Sequence, residues 1–297
     1  MEKRILLLAL LGAFFLSGCQ SIPTVSAIRV GCKNFTEQLI MGEVIAQYLE
    51  HKGFPVERKF GFGSTEIIHG ALIHGDIDLY IEYSGTAAEL ILKQPGVDIA
   101  SISQLYLDRF QVKWFPPLGL NNSYVLVSKS VLPGVADSRI DTGGSTISHL
   151  SEVAGQLTAG LNAEFLERPD GYRLLQNVYG LKFKKTVNLD VGLLYLALDS
   201  GQVDIIGAFS TDGRLLQKGY TVWSDDRKAL PQYYASIAVR MKSLEKFPDL
   251  ESTLHNLDGA ISDVTMRGLN AQVELNQHSP AAVAKEFLNT HPFPKSP

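Results

Sequence analysis

Cysteine is scarce in this chain: 297 residues contain two, Cys19 and Cys32. Two thiols cannot build a disulfide framework or a four-thiolate zinc site. An excess of positive charge is also missing. The 27 Lys and Arg residues face 31 Asp and Glu, for a net charge of -4. No basic cluster offsets that balance, which excludes the electrostatic footprint of a nucleic-acid binder. The seven histidines show neither His-x-x-x-His nor HExxH spacing, so no zinc site is expected. P-loop and G-x-S-x-G signatures are absent. Asp141-Thr142-Gly143 could supply one half of a proton-sharing carboxylate dyad, but no second such triplet occurs, and the segment reads as a loop. What remains is an ordinary globular composition, 45% hydrophobic and 20% charged, in a chain long enough for two domains.

Long hydrophobic runs are missing too, except at the start. Lys3 and Arg4 precede an apolar stretch from Ile5 to Leu16. It falls short of the ~20 residues that a membrane-spanning helix needs and fits the core of a signal peptide. The stretch closes in Leu16-Ser17-Gly18-Cys19, which resembles the bacterial lipoprotein box, where the cysteine is acylated and becomes the new N-terminus. Residues 1–18 therefore read as a signal peptide, Cys19 as the lipidation site and 19–27 as a polar tether. The alternative is a plain secretory signal with a chance cysteine. Cys32, the remaining thiol, is expected to be buried rather than reactive.

The body opens with a short strand, Ala27 to Gly31. Asn34, with Glu37 three residues on, has the spacing of a capping box, and apolar positions then recur at helical intervals until Gly53. Phe54–Phe60 reads as a strand, Ser64–His74 as a helix stopped by Gly75, and Ile77–Tyr83 as a strand. Strands alternating with helices predict parallel βαβ units. Gly61-Phe62-Gly63-Ser64-Thr65 reads as a strand-to-helix loop, with an anion-binding turn as the alternative. Near the C-terminus, Leu244–Leu254, Ser262–Val273 and Pro280–Leu288 look helical.

One feature is internal. Residues 71–84, ALIHGDIDLYIEYS, and 197–210, ALDSGQVDIIGAFS, align 126 residues apart. Ala, Leu, Gly, Asp and Ser coincide, and Tyr83 faces Phe209. Each copy is a helix end, a Gly stop, an Asp and a strand delivering an aromatic at its carboxyl end. Two similar α/β lobes follow. Ligands bind beyond the carboxyl ends of parallel strands, so Tyr83 and Phe209 would meet across a cleft.

Tyr124 precedes one apolar strand, Val125–Val127, and Tyr233 another, Ile237–Val239, where the chain would cross between lobes. Tyr83, Tyr124, Phe209 and Tyr233 are thus candidates for one aromatic box. Aromatic faces attract a quaternary ammonium by ~2 kcal/mol or more per desolvated contact, and a micromolar site needs about 8 kcal/mol in all. Core packing is the alternative for any single tyrosine.

Six ordered segments carry a resemblance: Gly31-Cys32-Lys33-Asn34-Phe35-Thr36-Glu37-Gln38, Asp78 to Thr86, Pro117 to Tyr124, Glu164 to Gly171, Phe209 to Arg214, and Pro231-Gln232-Tyr233-Tyr234. From about Ile28 to Phe287 the chain resembles the substrate-binding proteins of osmoprotectant ABC importers, which take glycine betaine, carnitine, choline or proline betaine. That resemblance implies a type II periplasmic-binding-protein fold, two α/β lobes joined by a hinge with a cleft between them. It implies a cation box matching Tyr83, Tyr124 and Tyr233, with Phe209 where many members have Tyr. It further implies a cation contact at the backbone carbonyl near Asn122, and Lys33, Thr86 and Arg168 on a ligand carboxylate. Charge-assisted donors suit that task. The alternatives are a solvated Lys33, an Arg168 salt bridge and a Thr86 helix cap. Gln38 is a weaker candidate for a polar contact.

Residues 28–121 plus 236–297 are expected to form one lobe, covered by the C-terminal helices, and 122–235 the other. The function expected is an extracytoplasmic, lipid-anchored, monomeric solute receptor that delivers a quaternary amine to an ABC permease, with no cofactor, no metal, no nucleic acid and no bond-making chemistry. Its rivals are an amino-acid or other polar-solute receptor using the same cleft, an enzyme on the same fold, and a sensory module.

Overall fold

The computed structural model describes residues 26–129, 132 and 145–291. Cys19 and the Asp141-Thr142-Gly143 segment lie outside them. In chain order the first part runs β1 (Ile28–Lys33), α1 (Thr36–His51), β2 (Val56–Phe62), α2 (Thr65–His74), β3 (Leu79–Tyr83), α3 (Ser84–Thr86), α4 (Ile99–Phe110) and β4 (Val112–Asn121). The second part runs β5 (Tyr124–Lys129), α5 (Ile147–Val153), β6 (Thr158–Leu161), α6 (Ala163–Glu167), α7 (Tyr172–Tyr179), β7 (Lys185–Asn188), α8 (Leu194–Asp199), β8 (Ile205–Phe209) and β9 (Tyr220–Trp223). The chain then returns through β10 (Tyr234–Arg240), α9 (Met241–Lys246), α10 (Leu250–His255), α11 (Asp263–Glu274) and α12 (Pro280–Thr290).

Two five-stranded sheets result, ordered β2-β1-β3-β10-β4 and β7-β6-β8-β5-β9. The alternating pattern predicts parallel strands, but each sheet contains one antiparallel member, β10 in the first and β5 in the second. Both are the strands on which the chain arrives from the other sheet. An arriving chain enters at the carboxyl ends of the parallel strands and has to run away from them. Tyr234 and Ala235 already pair in the first sheet, opposite Asn121 and Tyr83.

The repeat has a structural meaning. Gly75 and Gly201 end their helices at φ 87° and 74°, where a side chain would be strained. Three residues on, Asp78 accepts the Arg29 N–H at 2.8 Å while its own N–H donates to the Arg29 carbonyl, also at 2.8 Å. Asp204 makes the same exchange with Thr158, at 2.8 Å in both directions. Each Asp therefore ties the strand it precedes to the first residues of the neighbouring parallel strand.

Local signals act largely as expected. Ser64, Ser262 and Ser279 cap α2, α11 and α12 through their side chains, each contributing about 1 kcal/mol. The capping box expected at α1 does not form. Phe35 is its N-cap, without a side-chain bond. Glu37 turns inward instead, because Tyr83, Asn122 and Asn270 donate to its oxygens. The expected helix at 244–254 is two short helices, α9 and α10.

Only Asn122 and Ser123 separate β4 from β5, and the return segment runs beside them. Asn122 N donates to the Tyr233 carbonyl (3.0 Å), and Ser210 N to the Ser123 carbonyl (2.8 Å). Helix α11 does more than cover the first sheet. Its Asp263 accepts the Asn121 N–H (2.7 Å), while Arg267 donates to the Ser210 carbonyl (2.7 Å) and Glu274 accepts the Gly213 N–H (3.0 Å). A Cβ on Gly213 would meet the Ala271 nitrogen at 2.2 Å, so this helix sits directly on the backbone of the turn that follows β8.

Candidate functional site

A cavity of about 390 Å³ opens between the two sheets. Its wall contains Lys33, Tyr83, Thr86, Asn122, Tyr124, Arg168, Phe209 and Tyr233. Strand ends deliver half of them: Lys33 ends β1, Tyr83 ends β3, Phe209 ends β8 and Tyr124 opens β5. Tyr124 and Phe209 are direct cross-strand partners, with ring centroids 5.0 Å apart. Tyr233 meets Tyr124 edge to face at 5.8 Å. Phe165, stacked on Tyr124 at 4.4 Å, backs the box from the core.

Sequence reasoning missed Phe35. It lines the cavity and stacks on Tyr83 (6.4 Å) and Phe209 (6.5 Å), joining the two groups of rings. Its signal was its position, two residues past the end of β1. Gly63, Ser64 and Thr65 also reach the wall, as do Asn188 at the end of β7 and Asp190 just beyond it. Gln38 is not on the wall. It is buried, donating to the Ile81 carbonyl (3.1 Å) and accepting from Lys33 N (3.3 Å), and so joins β1 to β3.

The two cations at the cavity are each paired. Lys33 Nζ lies 2.7 Å from Glu82 Oε1 and 2.9 Å from Thr65 Oγ1. Arg168 grips Asp170 with two parallel bonds, Nε to Oδ1 at 2.7 Å and Nη2 to Oδ2 at 2.6 Å. Its Nη1 reaches Thr86 Oγ1 (3.3 Å) and its Nη2 the Tyr233 hydroxyl (3.5 Å), which links the second sheet to the first. A tight approach fixes this turn: a Cβ on Gly171 would stand 2.2 Å from the Phe165 carbonyl oxygen. Burial is the largest single effect on Arg168 and works against its charge, but the Asp170 bonds and the nearby Tyr233, Tyr124 and Asp170 charges together overcome it and raise its pKa. An ammonium has three donors and a guanidinium five. By that count Lys33 and Arg168 each keep one N–H unclaimed by these partners.

Burial dominates the other titrations. It raises Tyr83 well above the usual phenol range, reinforced by the adjacent Glu37 charge. It raises Glu37 as well, opposed by the hydrogen bonds that group accepts. The Cys32 thiol is fully buried and pushed up to about 12, so it is not a thiolate. The arrangement can hold a small ion between aromatic faces and a polar end against paired cations.

The family described as the substrate binding domain of ABC-type glycine betaine transport system matches residues 26–290. The chain belongs to this family. Its members are binding proteins of transporters, not enzymes. The carnitine transport binding protein OpuCC of Listeria monocytogenes is 32% identical over 299 residues, covering 96% of this chain and 95% of that one. The ergothioneine transport permease/ergothioneine binding protein of Helicobacter pylori strain G27 is 36% identical over 266 residues, 87% of this chain. The matched region spans 46% of that relative's length. A crystal structure of a glycine betaine/carnitine/choline ABC transporter protein superposes with a TM-score of 0.74 at 27% identity, covering 89% of this chain and 98% of that one. The OpuAC-type fold of two mixed α/β sheets, and the binding-protein role of the family, follow. Among the described residues no helix is long and apolar enough to cross a membrane.

Proposed function

We propose that this chain binds a quaternary-ammonium zwitterion in the cavity and passes it to an ABC permease. The trimethylammonium group sits among Phe35, Tyr83, Tyr124, Phe209 and Tyr233. The ligand carboxylate takes the spare N–H of Lys33 and of Arg168, with Thr86 beside them. One observation carries the reading: rings from five separate segments meet at a single cavity whose rim holds two hydrogen-bonding cations. Glycine betaine, carnitine and ergothioneine, named for relatives, all carry this pair of groups. A cavity of about 390 Å³ lies in the range that takes ligands larger than glycine betaine. The lipoprotein reading of Leu16-Ser17-Gly18-Cys19 places the receptor outside the cytoplasm, tethered to a membrane.

Calorimetric titration of the chain lacking residues 1–18 tests this. Micromolar binding of at least one of glycine betaine, carnitine, choline or ergothioneine is expected, lost in Tyr124→Ala. Heat from amino acids alone, with silence toward every quaternary amine, would overturn it. Processing at Cys19 should stop under a lipoprotein signal-peptidase inhibitor.

A further inference from the structure

Glu37 lies behind the box rather than on its wall. It is buried, on the first turn of α1. Its Oε1 accepts the Tyr83 hydroxyl at 2.6 Å and Asn122 Nδ2 at 2.8 Å, and its Oε2 accepts Asn270 Nδ2 at 3.3 Å. The two amide nitrogens can only donate, and each of these bonds favours the carboxylate against the burial that opposes it. The other buried carboxylates of the site, Glu82 and Asp170, are neutralised by Lys33 and Arg168. Among the described residues Glu37 has no cationic partner.

Two of these donors, Tyr83 and Asn122, form part of the cavity wall. A phenol that donates to a carboxylate is polarised toward phenolate, which enriches the ring face that attracts a cation. The Asn122 amide is clamped by its nitrogen, so its oxygen lies on the far side from Glu37. That Oδ1 is buried and has no protein partner. A carbonyl-type oxygen of this kind suits the polarised N-methyl C–H groups of a quaternary amine. One anion thus orients two cation-seeking groups and supplies uncompensated negative charge behind them.

We infer that Glu37 is the specificity-determining residue that makes the box choose a cation over an uncharged group of the same shape, without touching the ligand. The inference rests on the cavity being a quaternary-ammonium site. Its test uses carbon isosteres, in which –C(CH₃)₃ replaces –N(CH₃)₃⁺. The probes are glycine betaine against 3,3-dimethylbutyrate and choline against 3,3-dimethylbutan-1-ol, titrated calorimetrically, with carnitine and ergothioneine as further cations.

In Glu37→Gln an oxygen remains to accept from Tyr83 and Asn122, while the charge and the weaker bond from Asn270 are lost. The preference for amine over isostere should fall at least tenfold, with isostere affinity within threefold of the parent protein. Tyr83→Phe, which deletes the bond but keeps the ring, should lower the same preference about threefold, and it decides the matter should Glu37→Gln fail to fold. An unchanged preference in the folded variants, or equal weakening of both members of a pair, overturns the role of Glu37 and leaves the box intact. A parent protein that binds none of the four cations overturns both.

Discussion

Gly85 stands against the ring of Tyr233: a Cβ on residue 85 would come within 2.6 Å of both Cδ1 and Cε1. The closest atoms belong to a wall of the candidate box, so the ring rather than the backbone would have to move. Overpacking of this kind costs about 1–3 kcal/mol. We expect Gly85→Ala to weaken quaternary-amine binding roughly tenfold, about 1.4 kcal/mol. Titration calorimetry with thermal melting checks this, and unchanged affinity would show that the Tyr233 ring is not a contact.

Lys33 and Glu82 form a pair in which the carboxylate is wholly buried. Removing one partner of such a pair leaves a charge with no counterpart and costs about 3–5 kcal/mol. Lys33→Ala should therefore lower the melting temperature sharply. Lys33→Met with Glu82→Gln should restore most of the stability while still binding zwitterions poorly relative to choline. Should the double variant bind glycine betaine as the parent does, Lys33 serves the fold and not the ligand.

Phe35 carries a prediction of its own. Its stacking on both Tyr83 and Phe209 spans rings from the two sheets. Loss of one desolvated cation–π face removes ~2 kcal/mol. Phe35→Ala should weaken binding about thirtyfold, and Phe35→Leu, which keeps bulk without the quadrupole, nearly as much. Recovery of affinity in the Leu variant would assign Phe35 to packing alone.

Asp212 sets a pH dependence. It accepts the Phe209 N–H (3.1 Å) and the Tyr195 hydroxyl (3.0 Å) on one oxygen. Burial, and next the Glu274 charge, push it up to about 7. A carboxyl whose folded pKa exceeds its unfolded value of ~3.9 binds an extra proton in the native state between those pH values. Its contribution to stability is therefore full below about pH 4, falls as pH rises toward 7, and is lost above. Asp212→Asn keeps an acceptor for both donors without the charge. It should raise stability at pH 8 by roughly 2–4 kcal/mol and flatten the pH profile of the melting temperature. A variant no more stable than the parent at pH 8 would contradict this.

Much of this architecture is legible in the sequence because it is local. The helix, Gly, Asp and strand repeat announces two lobes, since Gly75 and Gly201 are needed for their backbone angles and Asp78 and Asp204 for equivalent bonds. Tyr83 and Phe209 follow from that repeat, as strand-end residues facing one gap. What escaped is set by distance along the chain. Glu82 and Asp170 neutralise the site cations, yet only the fold shows that Glu82 meets Lys33 from 49 residues away. Glu37 has the spacing of a capping residue, but donors on β3, the crossover and α11 outbid the helix end. The antiparallel strands could not be read from periodicity, which does not distinguish direction.

Strand β10 lies between β3 and β4 in the first sheet, yet more than a hundred residues of chain separate it from β4. During synthesis the first lobe therefore has a gap at its centre until residue 240 has emerged, with the inner edges of two strands unpaired. Exposed edges invite pairing with other chains, and non-local closure slows folding. The second lobe, whose strands β5–β9 are contiguous in sequence, can be complete first. Assembly order is thus written into the strand order: the later-made half becomes a template beside which the earlier-made half is finished, and a chain cut short of β10 would be left with an aggregation-prone fragment rather than a working half.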